Sequence, residues 1–206
     1  MESEKVLITD NQYFPCISLI KMWFEYSYVE IEACDTYQKN SFRNRCIIAG
    51  SNGLINLSVP LEKGRDQKAS YRDIKIAWQD KWNVQHWRSI TSCYRRAPYF
   101  DFYAGSVESL LQKRHVYLFD LNLEIAAWIQ KLFKTTASVK LTDNFVQEYN
   151  PAVMADFRNY WRPSNFRNHT GNLPRYFQLF EDRNGFQPNL SIIDLLFCAG
   201  PKALIP

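Results

Sequence analysis

The sequence predicts an α/β protein with a small mixed sheet in its N-terminal half, a helical middle and an irregular C-terminal wrap that ends in a helix. Three observations carry this prediction. Apolar and polar residues alternate in the first third, apolar residues recur at helical spacing in the middle, and prolines and glycines interrupt residues 150–188. No linker or internal repeat divides the chain, so residues 1–206 are expected to form a single domain.

The first third contains most of the predicted strands. Residues 6–8 form a short apolar run and residues 29–33 alternate between apolar and polar side chains, as half-buried strands do. A helix is predicted between them at residues 17–24. Two further apolar stretches flank Asn52-Gly53, a dipeptide that favours the tight turn of a β-hairpin. One more strand is predicted at residues 74–78.

The middle and the end of the chain carry the predicted helices. Asp80 is the predicted cap of a helix that contains Tyr94, and Ser106 is the predicted cap of the next one. Residues 121–132 have the apolar spacing of a third helix. Ser191 begins a last helix, which a Gly-Pro pair ends. The expected architecture is therefore a sheet followed by packed helices.

Composition excludes several classes of protein. The chain has 46% hydrophobic and 22% charged residues and a net charge of +4, which is ordinary for a globular protein and gives no strong nucleic-acid signal. It has no secretory signal and no apolar run near the length of about 20 residues that spans a bilayer, so a cytoplasmic protein without a membrane span is expected. Five cysteines without a CxxC pair predict neither disulfides nor a metal site.

Several catalytic motifs are absent. The sequence contains no GxGxxG after the first strand, no P-loop, no GxSxG elbow and no HExxH. Standard dinucleotide binding, P-loop nucleotide hydrolysis, α/β-hydrolase chemistry and zinc proteolysis therefore lose their usual support. The sequence indicates no particular cofactor.

The basic segment, which we define as residues 35–45, is the strongest functional signal. It places Lys39, Arg43, Asn44 and Arg45 close together after Asp35. Guanidinium groups offer paired N–H donors that suit a phosphate or a carboxylate. A solvated basic loop is the alternative interpretation. On a regular strand Arg43 and Arg45 would share one face and Asn44 would point to the other, so the three could not all contact one ligand.

Ligands of open α/β sheets bind at the carboxyl ends of the strands. The first and second predicted strands end just before Gln12 and Asp35, so these ends and the basic segment are expected to meet at one edge of the sheet. The predicted result is a concave anion site. Its expected substrate-binding residues from these segments are Gln12, Tyr13, Lys39, Arg43, Asn44 and Arg45.

Among the three histidines, His86 is the candidate for proton transfer. It lies on a predicted helix beside Trp87, near the border between the apolar face and solvent. An imidazole there can act as a general acid or base near neutral pH. The alternative is a partly buried histidine that only supports the fold. Cys93, further along the same helix, is an outside candidate for a nucleophile.

Short motifs containing rare residue types recur in a fixed order along nearly the whole chain. They are Gln12-Tyr13-Phe14-Pro15, Asp35-x-Tyr37-x-Lys39-x-Ser41-Phe42-x-Asn44-Arg45, the Gly53 turn into Leu57-x-Val59-Pro60, His86-Trp87-Arg88, Tyr94, Ala97-Pro98-Tyr99-Phe100, and Gly185-Phe186-x-Pro188-Asn189-Leu190-Ser191-Ile192-x-Asp194-Leu195-Leu196-Phe197 followed by Gly200-Pro201. This succession resembles the WbqC-like protein family. The resemblance implies an association with the biosynthesis of bacterial O-antigen and other surface glycans.

Together these observations favour a transferase that acts on a nucleotide-linked sugar, by moving an acyl or aminoacyl group to a sugar amine. His86 and Asp35 are the predicted catalytic residues, and Tyr94 joins the predicted substrate-binding residues. The alternative is a non-catalytic binding or assembly protein of the same pathway, and a nucleic-acid-binding protein ranks third. The expected partner is an anionic small molecule such as a nucleotide sugar, and a homo-oligomer is possible.

Overall fold

The computed structural model describes residues 5–64, 66 and 68–205. Its main sheet has four strands: β1 (Val6–Thr9), β2 (Tyr28–Ile31), β5 (Ser138–Leu141) and β6 (Met154–Asp156). They lie in the order β5-β2-β1-β6, and every neighbouring pair is parallel. Helix α1 (Ile17–Glu25) connects β1 to β2, as a parallel pair requires. The predicted α/β class is confirmed.

Two strands of this sheet, β5 and β6, come from the part of the chain where no strand was predicted. They have four and three residues and are largely polar or half exposed, so neither shows a clear alternation of apolar side chains. Pairing with the buried strands β1 and β2 determines their structure. The sheet therefore joins the N-terminal third of the chain to residues 138–156, instead of lying within the N-terminal half.

The predicted hairpin is present as a separate antiparallel pair of strands. Strand β3 (Arg45–Gly50) pairs with β4 (Gly53–Ser58) over their whole length. Gly53 has a φ of 117°, which an L-amino acid with a side chain rarely adopts, and this explains the Asn-Gly turn. The hairpin begins at Arg45, so Arg43 and Asn44 precede the regular strand and do not follow its alternation.

The helices are α2 (Trp82–Tyr94), α3 (Phe100–Gln112), α4 (Leu118–Phe133), the short α5 (Glu181–Asn184) and α6 (Ile192–Ala199). Two predicted boundaries were wrong. Ser106 lies inside α3, because the apolar face of that helix already starts at Phe100. Lys81, with a φ of 46°, precedes α2 where Asp80 was expected to cap it. The strand predicted at residues 74–78 is reduced to isolated bridges.

The last helix, α6, is the most buried helix of the structure. Ser191 begins it as predicted, since its side chain accepts a hydrogen bond from the Ile193 N–H, and it also donates one to the Phe14 carbonyl at 2.9 Å. Leu195 and Leu196 are fully buried in the same hydrophobic cluster as Leu7 of β1. The C-terminus therefore completes the core of the N-terminal sheet.

Across residues 5–64, 66 and 68–205, no helix combines the length and the apolar character that crossing a membrane requires.

We expect Leu196→Ala to lower the free energy of unfolding by about 2–5 kcal/mol, because it removes fully buried methyl groups and leaves a cavity. Leu141→Ala on edge strand β5, where the leucine is 36% exposed, is the matched control and should cost less than about 1 kcal/mol. Urea denaturation measures both values. Equal losses in the two variants would contradict the role assigned to α6.

Candidate functional site

A buried ion pair, and not an open site, occupies the carboxyl edge of the main sheet. Asp10 follows β1, and Arg43 precedes the hairpin. One guanidinium nitrogen of Arg43, Nη2, donates to Asp10 Oδ1 at 3.0 Å and to Asp35 Oδ2 at 2.7 Å. The other, Nη1, donates to the Thr36 carbonyl at 2.7 Å. Arg43 is only 1% exposed, so its charge is already neutralised within the protein.

The surroundings keep Arg43 charged. Burial alone lowers the pKa of this guanidinium, but the attraction of Asp10 and the hydrogen bond to Asp35 outweigh it and raise the pKa. The Tyr71 ring lies 4.9 Å from the guanidinium carbon and adds a cation–π contact. A pair of this kind orders three chain segments and engages both terminal nitrogens of the guanidinium, while the buried Nε has no partner among the described residues.

A buried asparagine fixes the same edge from the helical side. Asn122 of α4 donates through Nδ2 to the Asn11 carbonyl at 3.1 Å and to the Arg43 carbonyl at 2.7 Å. The same nitrogen lies 2.6 Å from the Tyr71 hydroxyl, which donates to the Asn11 carbonyl at 2.7 Å. This network provides partners for several polar groups buried beside the charged pair, although the side-chain oxygens of Asn11 and Asn122 have none among the described residues.

The other residues predicted for the anion site do not converge on a shared opening. Lys39 lies on the surface with its side chain 64% exposed and pairs with Asp66 at 2.9 Å. Asn44 is buried and donates to the Val59 carbonyl at 2.9 Å. Arg45 is half buried in β3, and Gln12 is only 4% exposed. The structure thus brings Arg43 and Asp35 together and separates Lys39 from them.

His86 lies in the core and not at the border with solvent. Its ring is 5% exposed, packs against Trp82 at 5.1 Å between ring centroids, and shares a hydrogen bond of 2.9 Å with the Tyr13 hydroxyl. Burial lowers the pKa of His86 to about 4, and a hydrogen bond to the Ser58 backbone opposes this only in part. In this environment the ring is neutral near pH 7 and joins α2 to the segment that follows β1.

Tyr94 also belongs to a buried network. Its hydroxyl donates to Asp194 Oδ1 at 2.6 Å and accepts from the Ala49 N–H at 3.0 Å. Tyr176 and Gln178 donate to the other oxygen of Asp194 at 2.6 and 3.0 Å. Burial raises the pKa of Asp194, although these hydrogen bonds act in the opposite direction. The network fastens α2, the hairpin and the C-terminal segment to α6.

The arginine cavity is an open basic site elsewhere in the molecule. It has a volume of about 960 Å³ and lies between α2 and the segment around α5. Four of its lining residues are arginines and none is acidic. The full lining consists of Trp87, Arg88, Thr91, Ser92, Cys93, Arg95, Arg96, Leu179, Phe180 and Arg183.

The arginines of this cavity are exposed and available to a ligand. Within the part of the chain that the structure describes, no salt bridge or side-chain hydrogen bond engages Arg88, Arg95, Arg96 or Arg183. Like charges held together without a counter-ion repel each other, and a bound anion relieves that repulsion. The arginine cavity is therefore the best candidate for an anion site.

Helix geometry brings these residues together. Arg88 and Arg95 are seven positions apart on or next to α2, so they share one face two turns apart. This spacing is visible in the sequence and could have identified the face. The sequence could not have predicted that Arg183 joins this site. Arg183 belongs to the irregular C-terminal segment, and the path of that segment has no periodic signal in the sequence.

The surroundings of this cavity disfavour catalysis by a cysteine thiolate. Cys93 lies in its wall, but burial and the nearby Asp194 carboxylate raise the pKa of the thiol, which disfavours a thiolate nucleophile. In the described ranges, 5–64, 66 and 68–205, no three His, Cys, Asp or Glu side chains are grouped so that they could hold a metal ion.

We expect Arg43→Met to lower the free energy of unfolding by about 3–5 kcal/mol, because it leaves Asp10 and Asp35 buried without their counter-charge. Lys39→Met is the control, because its ion pair with Asp66 is exposed and should contribute at most about 1 kcal/mol. Urea denaturation near neutral pH compares the two. An Arg43→Met protein as stable as its parent would contradict a structural role for the pair.

His86 should make stability depend on pH. In the unfolded chain a histidine has a pKa of about 6.5, so between that pH and about 4 the unfolded state binds more protons than the folded one. Stability should fall as the pH falls through this window, by up to about 3 kcal/mol from this residue. The difference in unfolding free energy between the parent and His86→Asn should therefore shrink from about pH 7 to pH 4. A difference independent of pH would contradict a buried neutral ring.

Comparison with known proteins identifies the family. The model of the WbqC-like protein family matches residues 11–171 of the 206, a span that includes Arg43, its partner Asp35 and the α2 arginines, and that begins one residue after Asp10. Arg183 and the last helix lie beyond it. No curated protein and no solved structure matches the chain. The resemblance expected from the sequence motifs is confirmed, and the chain belongs to the WbqC-like protein family.

Proposed function

We propose that this protein acts in surface-glycan biosynthesis and binds a nucleotide-linked sugar, with the diphosphate held in the arginine cavity. The observation that carries the proposal is a cavity that, among the residues that the structure describes, is lined by four exposed arginines and by no acidic residue. A guanidinium group can donate two parallel hydrogen bonds to a phosphate, which makes arginine well suited to this ligand. Membership of the WbqC-like family supports the glycan context.

The rest of the cavity suits the other parts of such a ligand. Trp87 and Phe180 present flat apolar surfaces, and the Trp87 ring is held by stacking on Phe100, with ring centroids 6.1 Å apart and planes at 15°. Thr91 and Ser92 offer hydroxyl groups. Pockets for small organic ligands combine apolar walls with a few polar groups in this way.

The enzymatic form of the proposal is transfer of an acyl or aminoacyl group to an amine of the sugar. The amine nitrogen would attack the acyl carbonyl, the new N–C bond would form, the bond to the carrier would break, and a base would accept the amine proton. His86 is buried against Tyr13 with a pKa of about 4, and this position supports a structural role for it over that of the base.

The second candidate is a binding protein of the same pathway without catalytic activity. It is favoured by one observation, which is that the lining of the arginine cavity includes neither a histidine nor a carboxylate. Incubating the protein with nucleotide-linked amino sugars and acyl donors separates the two forms. N-acylated product that disappears in Arg95→Ala supports the transferase, whereas tight binding without product supports the binding protein.

We expect calorimetric titration with nucleoside diphosphate sugars to show saturable binding that weakens as salt increases, because exposed charges are screened. Arg88→Ala and Arg95→Ala should each weaken binding about tenfold or more, since each removes a charged hydrogen-bond donor to phosphate. Arg114→Ala is the matched control, because Arg114 is also exposed but lies against Trp78, outside the cavity.

Two results would contradict this proposal. One is the absence of binding by any nucleoside diphosphate sugar at millimolar concentration. The other is an equal loss of affinity in Arg114→Ala and Arg95→Ala, which would indicate attraction by overall charge and not by this cavity.

A further inference from the structure

A second concave site, the aromatic pocket, lies between α1 and residues 157–173. Its volume is about 440 Å³, which falls within the roughly 300–1,000 Å³ usual for small-ligand sites. None of its lining residues was singled out as a site from the sequence. They are Ser18, Lys21, Met22, Glu25, Phe157, Tyr160, Trp161, Asn168, His169, Thr170, Gly171, Asn172 and Leu173.

Packed aromatic rings form one wall of this pocket. Phe157 and Trp161 stack with centroids 5.4 Å apart and planes at 14°. Tyr160 meets both rings edge to face at 5.0 Å and lies 4.7 Å from the His169 ring. Tyr160 is 40% exposed, whereas Trp161 is 3% exposed. The packed rings of Phe157 and Trp161 thus hold the Tyr160 ring in place, and the Tyr160 ring remains accessible to a ligand.

The rim of the pocket is polar, and the charges of its one lysine and its one glutamate cancel. Lys21 pairs with Glu25 at 3.6 Å, so these two charges compensate each other. Asn168 and Asn172 offer amide groups, and Thr170 offers a hydroxyl. This composition contrasts with the arginine cavity, because here neutral donors and acceptors predominate.

The loop of residues 168–173 borders the pocket, and hydrogen bonds to its backbone carbonyls hold it in place. The His169 carbonyl accepts hydrogen bonds from Trp161 Nε1 at 2.9 Å and from Ser18 Oγ at 3.4 Å. The Lys21 ammonium donates to the Asn172 carbonyl at 2.7 Å. Three contacts therefore tie residues 168–173 to α1 and to the aromatic wall. A site organised in advance loses less conformational entropy when it binds.

We propose that the aromatic pocket binds a neutral sugar in its pyranose form. Such a ring has a face of C–H groups, which can pack on the negative face of the Tyr160 ring, and an edge of hydroxyl groups, which can exchange hydrogen bonds with the amides of Asn168 and Asn172. A phosphate would find only neutral donors here and one lysine whose charge is compensated by Glu25. The inference uses no residue of the arginine cavity, so it holds whether or not that cavity binds a nucleotide sugar.

Saturation-transfer difference NMR tests the proposal with the methyl glycosides of neutral hexoses, 6-deoxyhexoses and N-acetylhexosamines. We expect saturable binding of at least one of them to the full-length protein. Tyr160→Ala should weaken it roughly tenfold, because the stacking surface is lost. Tyr160→Phe should retain most of the affinity. Tyr28→Ala, which removes a tyrosine of similar exposure from β2, should change nothing.

Two results would contradict the proposal of a sugar site in the aromatic pocket. No saturable signal from any glycoside at millimolar concentration would overturn the proposal. The same conclusion would follow if Tyr160→Ala, with a melting temperature close to that of the parent, bound the glycoside as tightly as the parent does. Nucleoside diphosphate binding in Tyr160→Ala, measured in parallel, reports separately on the arginine cavity.

Discussion

The ion pair of Arg43 with Asp10 and Asp35 is the interaction on which the arrangement of the N-terminal half depends. Its three members come from the end of β1, the segment after β2 and the segment before β3. The main sheet and the hairpin are separate sheets, so a direct backbone ladder does not join them here. A guanidinium that donates to two carboxylates and a carbonyl fixes their relative position.

Other polar networks in the core also fix the relative position of separate chain segments. Asn122 ties α4 to the backbone on both sides of the ion pair, and Asp194 collects hydroxyl and amide donors from Tyr94, Tyr176 and Gln178. Each network joins segments that are far apart in the sequence. Because a buried polar group is costly without its partners, these networks favour one packing of the segments over others. Residues that resemble catalytic groups in the sequence thus contribute to the fold.

This distinction explains how far the sequence could predict the structure. Local patterns predicted the strands before Asp10 and Asp35, the Asn52-Gly53 turn and the Ser191 start of the last helix, because each depends on nearby residues. Strands β5 and β6 depend on partners more than 100 residues away and have no local signal.

The site was harder to predict for the same reason. Arg43 and Arg95 are the same residue type in basic stretches, but Arg43 is 1% exposed whereas Arg95 is exposed. Only the fold decides which arginine meets a carboxylate and which faces solvent. His86 shows the same effect, since its helix was predicted but the hydrogen bond to Tyr13, 73 residues away, was not.

We assign the ion-paired Arg43 to the fold and propose that the exposed arginines of the arginine cavity bind the ligand. Hydrogen–deuterium exchange with and without a nucleoside diphosphate sugar tests it most directly, because it locates the ligand along the backbone without a mutation. We expect slower exchange in the segments 88–96 and 179–183, which contain the lining residues of the arginine cavity, and no change at residues 35–45. Protection confined to residues 35–45 would contradict it.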